Sequence, residues 1–248
     1  WWLGFSFLTW KRLRPRHAAR QLPAGETYAS IGFKQLRKTI SEVKHFPETI
    51  RFLIAYFLYN DGIQTVIAVA STFAAAPLIQ GGLELEQQTL IAVILMIQFV
   101  AFFGALFWGK LAGWIGAKQS VVVSLVIWAG VVIYAYGGLY GESRIAQFFV
   151  LGIFIALVMG GSQAISRSLF AQMIPNGKEA EFFSFYEISE RGTSWIGPLI
   201  FGLANQVFGN LRYAILSLIF LFIAGLILLP FVNVNKAIAD ARKYGGNQ

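Results

Sequence analysis

The chain has 248 residues, of which 56% are hydrophobic and only 13% charged, and its mean hydropathy is +0.61. Soluble globular domains carry about 45–50% apolar and about 25% charged residues. This chain therefore has too little polar surface to cover itself in water, whereas a bilayer solvates such a surface. The formal net charge is +8, yet ten of the twenty basic residues lie between Lys11 and Arg51 against three acids, a net of +7 in one stretch. A basic stretch beside apolar segments reads as a cytoplasmic loop and argues against nucleic acid as a partner. There is no Cys, which excludes disulfides and thiolate metal sites. Neither His17 nor His45 falls in an apolar span, so a His-based metal site and a membrane hydrolase are unsupported. No G-x-x-x-x-G-K-[ST] stretch exists, so the chain does not hydrolyse ATP by itself. Nothing calls for a cofactor, and the chain is not read as an enzyme.

Residues 1–10 form an apolar stub too short to span, against the ~20 residues that spanning needs. It reads as the end of a transmembrane helix that begins further upstream, or as a short interfacial anchor. Residues 11–49 form the basic loop. Within it Phe33, Leu36, Ile40 and Val43 recur at helical spacing with Lys34, Arg37, Lys38 and Lys44 elsewhere, which predicts an amphipathic helix on the cytoplasmic surface. Pro47 ends it. Six apolar spans follow over residues 50–232: 50–79, 90–108, 121–139, 146–165, 182–207 and 211–231. Each reaches the length of a spanning helix. The first is interrupted in composition at Asn60, Asp61, Gly62 and Gln64. Residues 233–248 are a polar tail.

Six spans place the basic loop and the tail on one side. The loops on that side carry Lys110, Lys118, Arg167 and Lys178, and the opposite loops only Arg144 and Arg212. This asymmetry sets the orientation. The first and fourth spans share a character, Tyr59-Asn60-Asp61-Gly62-Ile63-Gln64 in one and Gly160-Gly161-Ser162-Gln163 in the other. Two interrupted segments at matching places in two three-helix units point to a transporter's binding site.

Asp61 lies about 11 residues into its span, hence ~17 Å along the axis and near the middle of the hydrocarbon. A carboxylate there costs at least ~2.5–3.5 kcal/mol unless it is neutral, paired or wet. Two readings stand: a substrate or proton site with Asn60 and Gln64, or a polar latch bonding a neighbouring backbone. Glu187, Glu190 and Arg191 cluster on the fifth span, with Glu187 and Arg191 at the favoured acid-first spacing of four. They form either a charge cluster or gate near the cytoplasmic mouth, with Arg167, or part of a substrate or proton path. Gln163 and Arg167 are also four apart, facing ligand or, for Arg167, lipid headgroups. Gly160, Gly161 and Gly197-Pro198 have packing and bending explanations.

The run Tyr56 to Thr65 resembles the seventh helix of one branch of the major facilitator superfamily, the branch of the autophagy-linked vacuolar amino-acid effluxer and its bacterial relatives. So do Gly160 to Ser168, and Pro175 to Phe183 leading into Gly197-Pro198. The segment Gly109-Lys110-Leu111-Ala112-Gly113-Trp114-Ile115-Gly116-Ala117-Lys118 is similar to the superfamily's short cytoplasmic loop motif. It keeps Gly109, Leu111, Gly116 and the cation Lys118, while Gly113 stands where the motif has Asp. The resemblance implies an all-α integral membrane fold, the C-terminal six-helix half of a twelve-helix carrier with a 3+3 inverted repeat. It implies an N-terminal six-helix half as partner, alternating access, and a path for a small-molecule substrate lined by Asn60, Asp61, Gln64 and Gln163. Amino-acid export is the implied activity and a bacterial plasma membrane the implied location; with Asp61 read as a proton site, the expected carrier is proton-coupled through it. The competing readings are a permease subunit energised by a separate ATPase and a non-transporting membrane scaffold.

Overall fold

A computed structural model describes residues 2–12, 44–191 and 194–245. The predicted amphipathic helix over 33–43 lies outside them, as does most of the basic loop. The chain divides into two compact units, Trp1–Ile40 and Ser41–Gln248. The described part of the first is α1 (Trp2–Arg12), an apolar helix with Trp2, Leu3, Phe5, Phe7 and Trp10 exposed.

In the second unit every regular element among the described residues is helical. α2 (Pro47–Ala75) starts on a proline, whose missing N–H costs nothing in a first turn. At 29 residues it is about 43 Å long, more than the ~30 Å hydrocarbon core. It is one unbroken helix, so the polar run from Asn60 to Gln64 interrupts the composition but not the backbone. α3 (Gln87–Ile115), α4 (Ala117–Gly137) and α5 (Arg144–Gln172) follow the second, third and fourth predicted spans. The Gly160-Gly161 pair is likewise helical throughout. α8 (Leu211–Ser217), α9 (Ile219–Leu228) and a 3-10 turn at Leu229–Phe231 together cross as the segment Leu211–Phe231. Among the described residues, five segments are thus long and apolar enough to cross a membrane.

The fifth predicted span departs from expectation. Residues 182–207 do not form one helix but belong to two, α6 (Glu179–Arg191) and α7 (Ile196–Phe208), each of 13 residues. Neither is long enough to cross alone. Pro198 gives the reason. It has no N–H, and its ring meets the carbonyl four residues back, so a helix holding it restarts within the preceding turn. The polar tail holds an element that its composition does not announce: Val234–Gly245 forms α10, a 12-residue helix.

α2 sits at the centre. Its apolar window is 61% buried, whereas that of α3 is 11% buried. α9, α6 and α7 pack on α2, and α5 packs on both α3 and α4. Two ends can be distinguished. At the basic end Lys118 Nζ donates to the carbonyls of Pro230 (2.9 Å) and Val232 (2.8 Å), and Thr49 Oγ1 donates to the Met173 carbonyl. At the opposite end Arg144 donates to the Leu83 carbonyl. Arg212, expected in an exposed loop, is buried there. It donates to the carbonyls of Ala135, Tyr136 and Leu139 and lies over the Tyr140 ring at 4.0 Å. A guanidinium gathering the last carbonyls of α4 satisfies acceptors that the helix itself leaves open.

The loop-motif residues also differ from a loop. Gly109 and Leu111 are in the last turns of α3, and only Gly116 turns the chain. Its φ of 86° and ψ of 151° belong to a region open essentially to glycine alone. Two helices meet there with no further connecting residue.

Candidate functional site

Asp61 is the fifteenth of the 29 residues of α2, about 21 Å from either end at 1.5 Å per residue. It is 3% exposed and Asn60 is 2% exposed. Asp61 Oδ2 accepts a hydrogen bond from the Gly197 backbone N–H at 2.5 Å. Gly197 is the second residue of α7, so a carboxylate from the centre of one helix caps the start of another. The helix dipole favours an anion at that place. The cap is needed because Trp195, ahead of α7, makes no side-chain cap bond and Pro198 has no N–H to offer. Leu199 N is already bonded to the Trp195 carbonyl.

Close approach makes the bond possible. A Cβ added at Gly197 would lie 2.1 Å from Thr65 Oγ1 and 3.1 Å from the Asp61 carbonyl oxygen. Thr65 Oγ1 in turn donates to that carbonyl at 2.7 Å. On the other side of α2, a Cβ at Gly62 would stand 3.2 Å from Leu221 Cβ. Small residues here let α7 and α9 touch the backbone of α2.

The second oxygen of the carboxylate, Asp61 Oδ1, is buried without a hydrogen-bond partner, and so is Asn60 Oδ1. Two buried acceptors left open at the middle of a membrane helix are costly, at about 1–3 kcal/mol each. Native structures leave few such groups, and each calls for an explanation. Gln64 lies one turn beyond Asn60 and is half-buried, as is Gln163 on α5. Among the described residues no hydrogen bond joins Gln64 or Gln163 to Asn60 or Asp61. What ties α2 to α5 at this level is a bond that sequence reasoning missed, between Tyr59 Oη and Ser166 Oγ at 2.6 Å. Ser166 donates on to the Ser162 carbonyl, and Trp128 Nε1 reaches Ser162 Oγ at 3.4 Å.

The predicted charge cluster is partly assembled. Arg167 Nη2 stands 3.8 Å from Glu187 Oε1, and the guanidinium lies 5.4 Å from the Phe183 ring centroid. The Arg167 side chain is 60% exposed, which makes the pair a weak tie. Glu190 and Arg191 occupy the last turn of α6, and their side chains lie outside the described part. Beneath this cluster Tyr56 stacks on Tyr186 at 4.4 Å, with Phe52 and Phe170 beside them, so α6 rests on the basic half of α2 through aromatic rings.

Glu48 is the other residue that sequence reasoning passed over. Assigned to the loop, it sits in the first turn of α2 and is 3% exposed. Its Oε2 accepts from the Asn233 N–H at 2.9 Å and its Oε1 from Arg51 Nη1 at 2.7 Å.

Comparison with known proteins places this arrangement. The chain is 32% identical over 232 residues to an uncharacterized MFS-type transporter, YxiO, of Bacillus subtilis, covering 94% of this chain and 51% of that protein. It is 33% identical to autophagy-related protein 22-1 of Aspergillus niger, covering 97% of this chain and 41% of that protein. It is 32% identical to autophagy-related protein 22 of Coccidioides immitis, over 98% and 43%. The chain thus spans about half the length of the curated relatives it matches. No solved structure gives a significant match. The sequence profile of the family described as vacuole effluxer Atg22 like covers residues 1–242, and the chain, an all-α integral membrane protein, belongs to that family.

Proposed function

We propose that this chain is one half of a secondary carrier that moves a small solute by alternating access against a second six-helix half. The observation that carries the reading is the pair of open acceptors, Asn60 Oδ1 and Asp61 Oδ1, buried at the midpoint of the most central helix. A polar group held open at that depth is explained by a ligand that visits it. In this reading the solute path follows Asn60, Asp61 and Gln64 on α2 and Gln163 on α5. Arg167, Glu187, Glu190 and Arg191 form a charge cluster toward the basic end, which faces the cytoplasm.

Amino-acid efflux is the activity we assign, efflux from the family description and amino acids from the resemblance of the α2 and α5 strings alone. Proton coupling runs through Asp61, the acid at mid-depth. The test is counterflow in vesicles carrying this chain joined to an upstream six-helix half. The vesicles are loaded with unlabelled amino acids and given the same mixture labelled outside. Trapping of label is expected, with at least a tenfold loss in Asn60→Ala and in Gln163→Ala. Wild-type trapping in both variants would remove the proposed path, and Asp61→Asn with an unchanged response to a pH gradient would remove the proton role.

A further inference from the structure

The buried Glu48 plays no part in the path just described, nor does α10, which it holds. We propose that α10 is a releasable strap across the basic end, clipped by Glu48, and that it opens when α2 moves against α6. The proposal rests on the carrier reading for the second half of that statement only.

Three observations carry it. First, the clip is a single well-defined joint. Glu48 Oε2 accepts from the Asn233 N–H, and Asn233 Oδ1 accepts from the Lys236 N–H at 3.0 Å, so Asn233 caps α10 with its side chain and ties it to α2 with its backbone. Second, beyond that joint the helix is held by one narrow apolar stripe. Ala237 and Ala241 are fully buried and Val234, Ile238 and Tyr244 are half-buried against the core, with Lys178 Nζ 5.3 Å from the Tyr244 ring, while Lys236, Arg242 and Lys243 face outward. That stripe buries a modest apolar area, and a free helix of 12 residues is marginal in water. Once unclipped, α10 would separate and fray. Third, the strap bridges the elements that the carrier must move. The Phe46 ring, just ahead of α2, meets Tyr244 of α10 on one side and Phe182 of α6 on the other, both at 5.4 Å between centroids. α2 carries Asp61, and α6 leads to the helix that Asp61 caps. Lys118 holds the Pro230 and Val232 carbonyls just before α10, so the strap has a root fixed by hydrogen bonds and a far end that rests on Phe46 through ring contact.

The chain has no cysteine, so a single thiol reports cleanly. Ala237→Cys, on the buried face of the strap, is labelled with a membrane-impermeant maleimide in vesicles. The expected rate is slow, rising at least tenfold in Glu48→Gln, whose weaker neutral acceptor leaves the joint loose. Asn233→Pro, which removes the donor N–H, should raise it as far. Asn235→Cys, already exposed, should label equally in every background and controls for reagent access, and a cooperative thermal melt in each background shows that the variants fold. Equal Ala237→Cys rates in all backgrounds would overturn the clip. In a second arm Phe46→Cys and Tyr244→Cys are joined by a reducible bis-methanethiosulfonate linker. Counterflow should be lost on linking and return on reduction, and full counterflow while linked would overturn the opening step. A carrier inactive in every background would refute the transport reading and the strap's part in it. The labelling rates would still decide whether Glu48 clips α10.

Discussion

Replacing Asp61 with alanine removes the acceptor that starts α7. Gly197 N–H then loses its partner inside the bundle, at a cost of about 1–3 kcal/mol for an unsatisfied buried donor. The helix dipole loses its anion, worth about 0.3–1 kcal/mol. One relief offsets these losses, because the open Asp61 Oδ1 disappears as well. The net expectation is a destabilisation of about 2 kcal/mol. Asp61→Asn keeps an oxygen for Gly197 and loses only the charge, so it should cost about 1 kcal/mol or less. The assay is thermal unfolding in detergent micelles followed by tryptophan fluorescence. For a chain of this size each kcal/mol moves the midpoint by about 2–4 °C, so alanine should melt roughly 4–8 °C below wild type, with asparagine between. If Asp61→Ala melts with or above wild type, the carboxylate does not hold α7. The bond to Gly197 would then be incidental to a group kept for transport alone.

Other positions give independent checks by the same melting assay. Gly197→Ala sets a Cβ 2.1 Å from Thr65 Oγ1 and 3.1 Å from the Asp61 carbonyl oxygen and should cost about 1–3 kcal/mol or more, since the Thr65 hydroxyl is held by its own bond to that carbonyl; Thr65→Ala in the same chain should recover part of it. Gly116→Ala meets open space but must adopt a φ of 86°, so a loss of about 1–3 kcal/mol is expected. Gly109→Ala, in open space inside α3, should instead gain about 0.5–1 kcal/mol. Arg212→Met strands three carbonyls and should cost about 3 kcal/mol or more, with Arg212→Lys failing to restore it because an ammonium lacks the planar fork. Tyr59→Phe removes the bond to Ser166 and should cost about 1 kcal/mol.

The membrane spans were legible because hydropathy adds up along the chain. α3, α4 and α5 lie where their apolar runs lie, α3 and α5 extended at both ends and α4 starting earlier but ending at Gly137, inside its predicted run, and the depth of Asp61 follows from counting. The helix break in the fifth span was not legible by that sum. Residues 182–207 read as one apolar run, and Gly197-Pro198 was taken as a bend. A proline bend survives when neighbours repair the freed backbone groups. Here the repair comes as a cap on a new helix, from a carboxylate 136 residues away in sequence. α10 was missed for the opposite reason. Its apolar positions, Val234, Ala237, Ile238 and Ala241, fall at helical spacing, but the segment is polar on average, and its mean composition hid the stripe.

Charge position is a bias summed over loops and does not make each cation an exposed group. Arg212 and Arg144 stood out as cations on the side that should have few. Their bonds to carbonyls explain them, Arg212 buried and Arg144 half-buried, since a cation held at a helix end is part of the fold and carries little weight in orientation. Glu48 shows the converse. It was counted with the basic loop because it lies beside Lys44 and Arg51, yet Pro47 had already marked the start of α2. An acid at the second position of a proline-led helix is a first-turn residue, and whatever covers that turn buries it. The same logic links the two buried acids of α2. Each accepts from a backbone N–H at the start of another helix, Asp61 from Gly197 and Glu48 from Asn233. The most central helix therefore holds its neighbours by their N-termini at two depths. A displacement of α2 along its axis by one helical turn, about 5.4 Å, would break both bonds together.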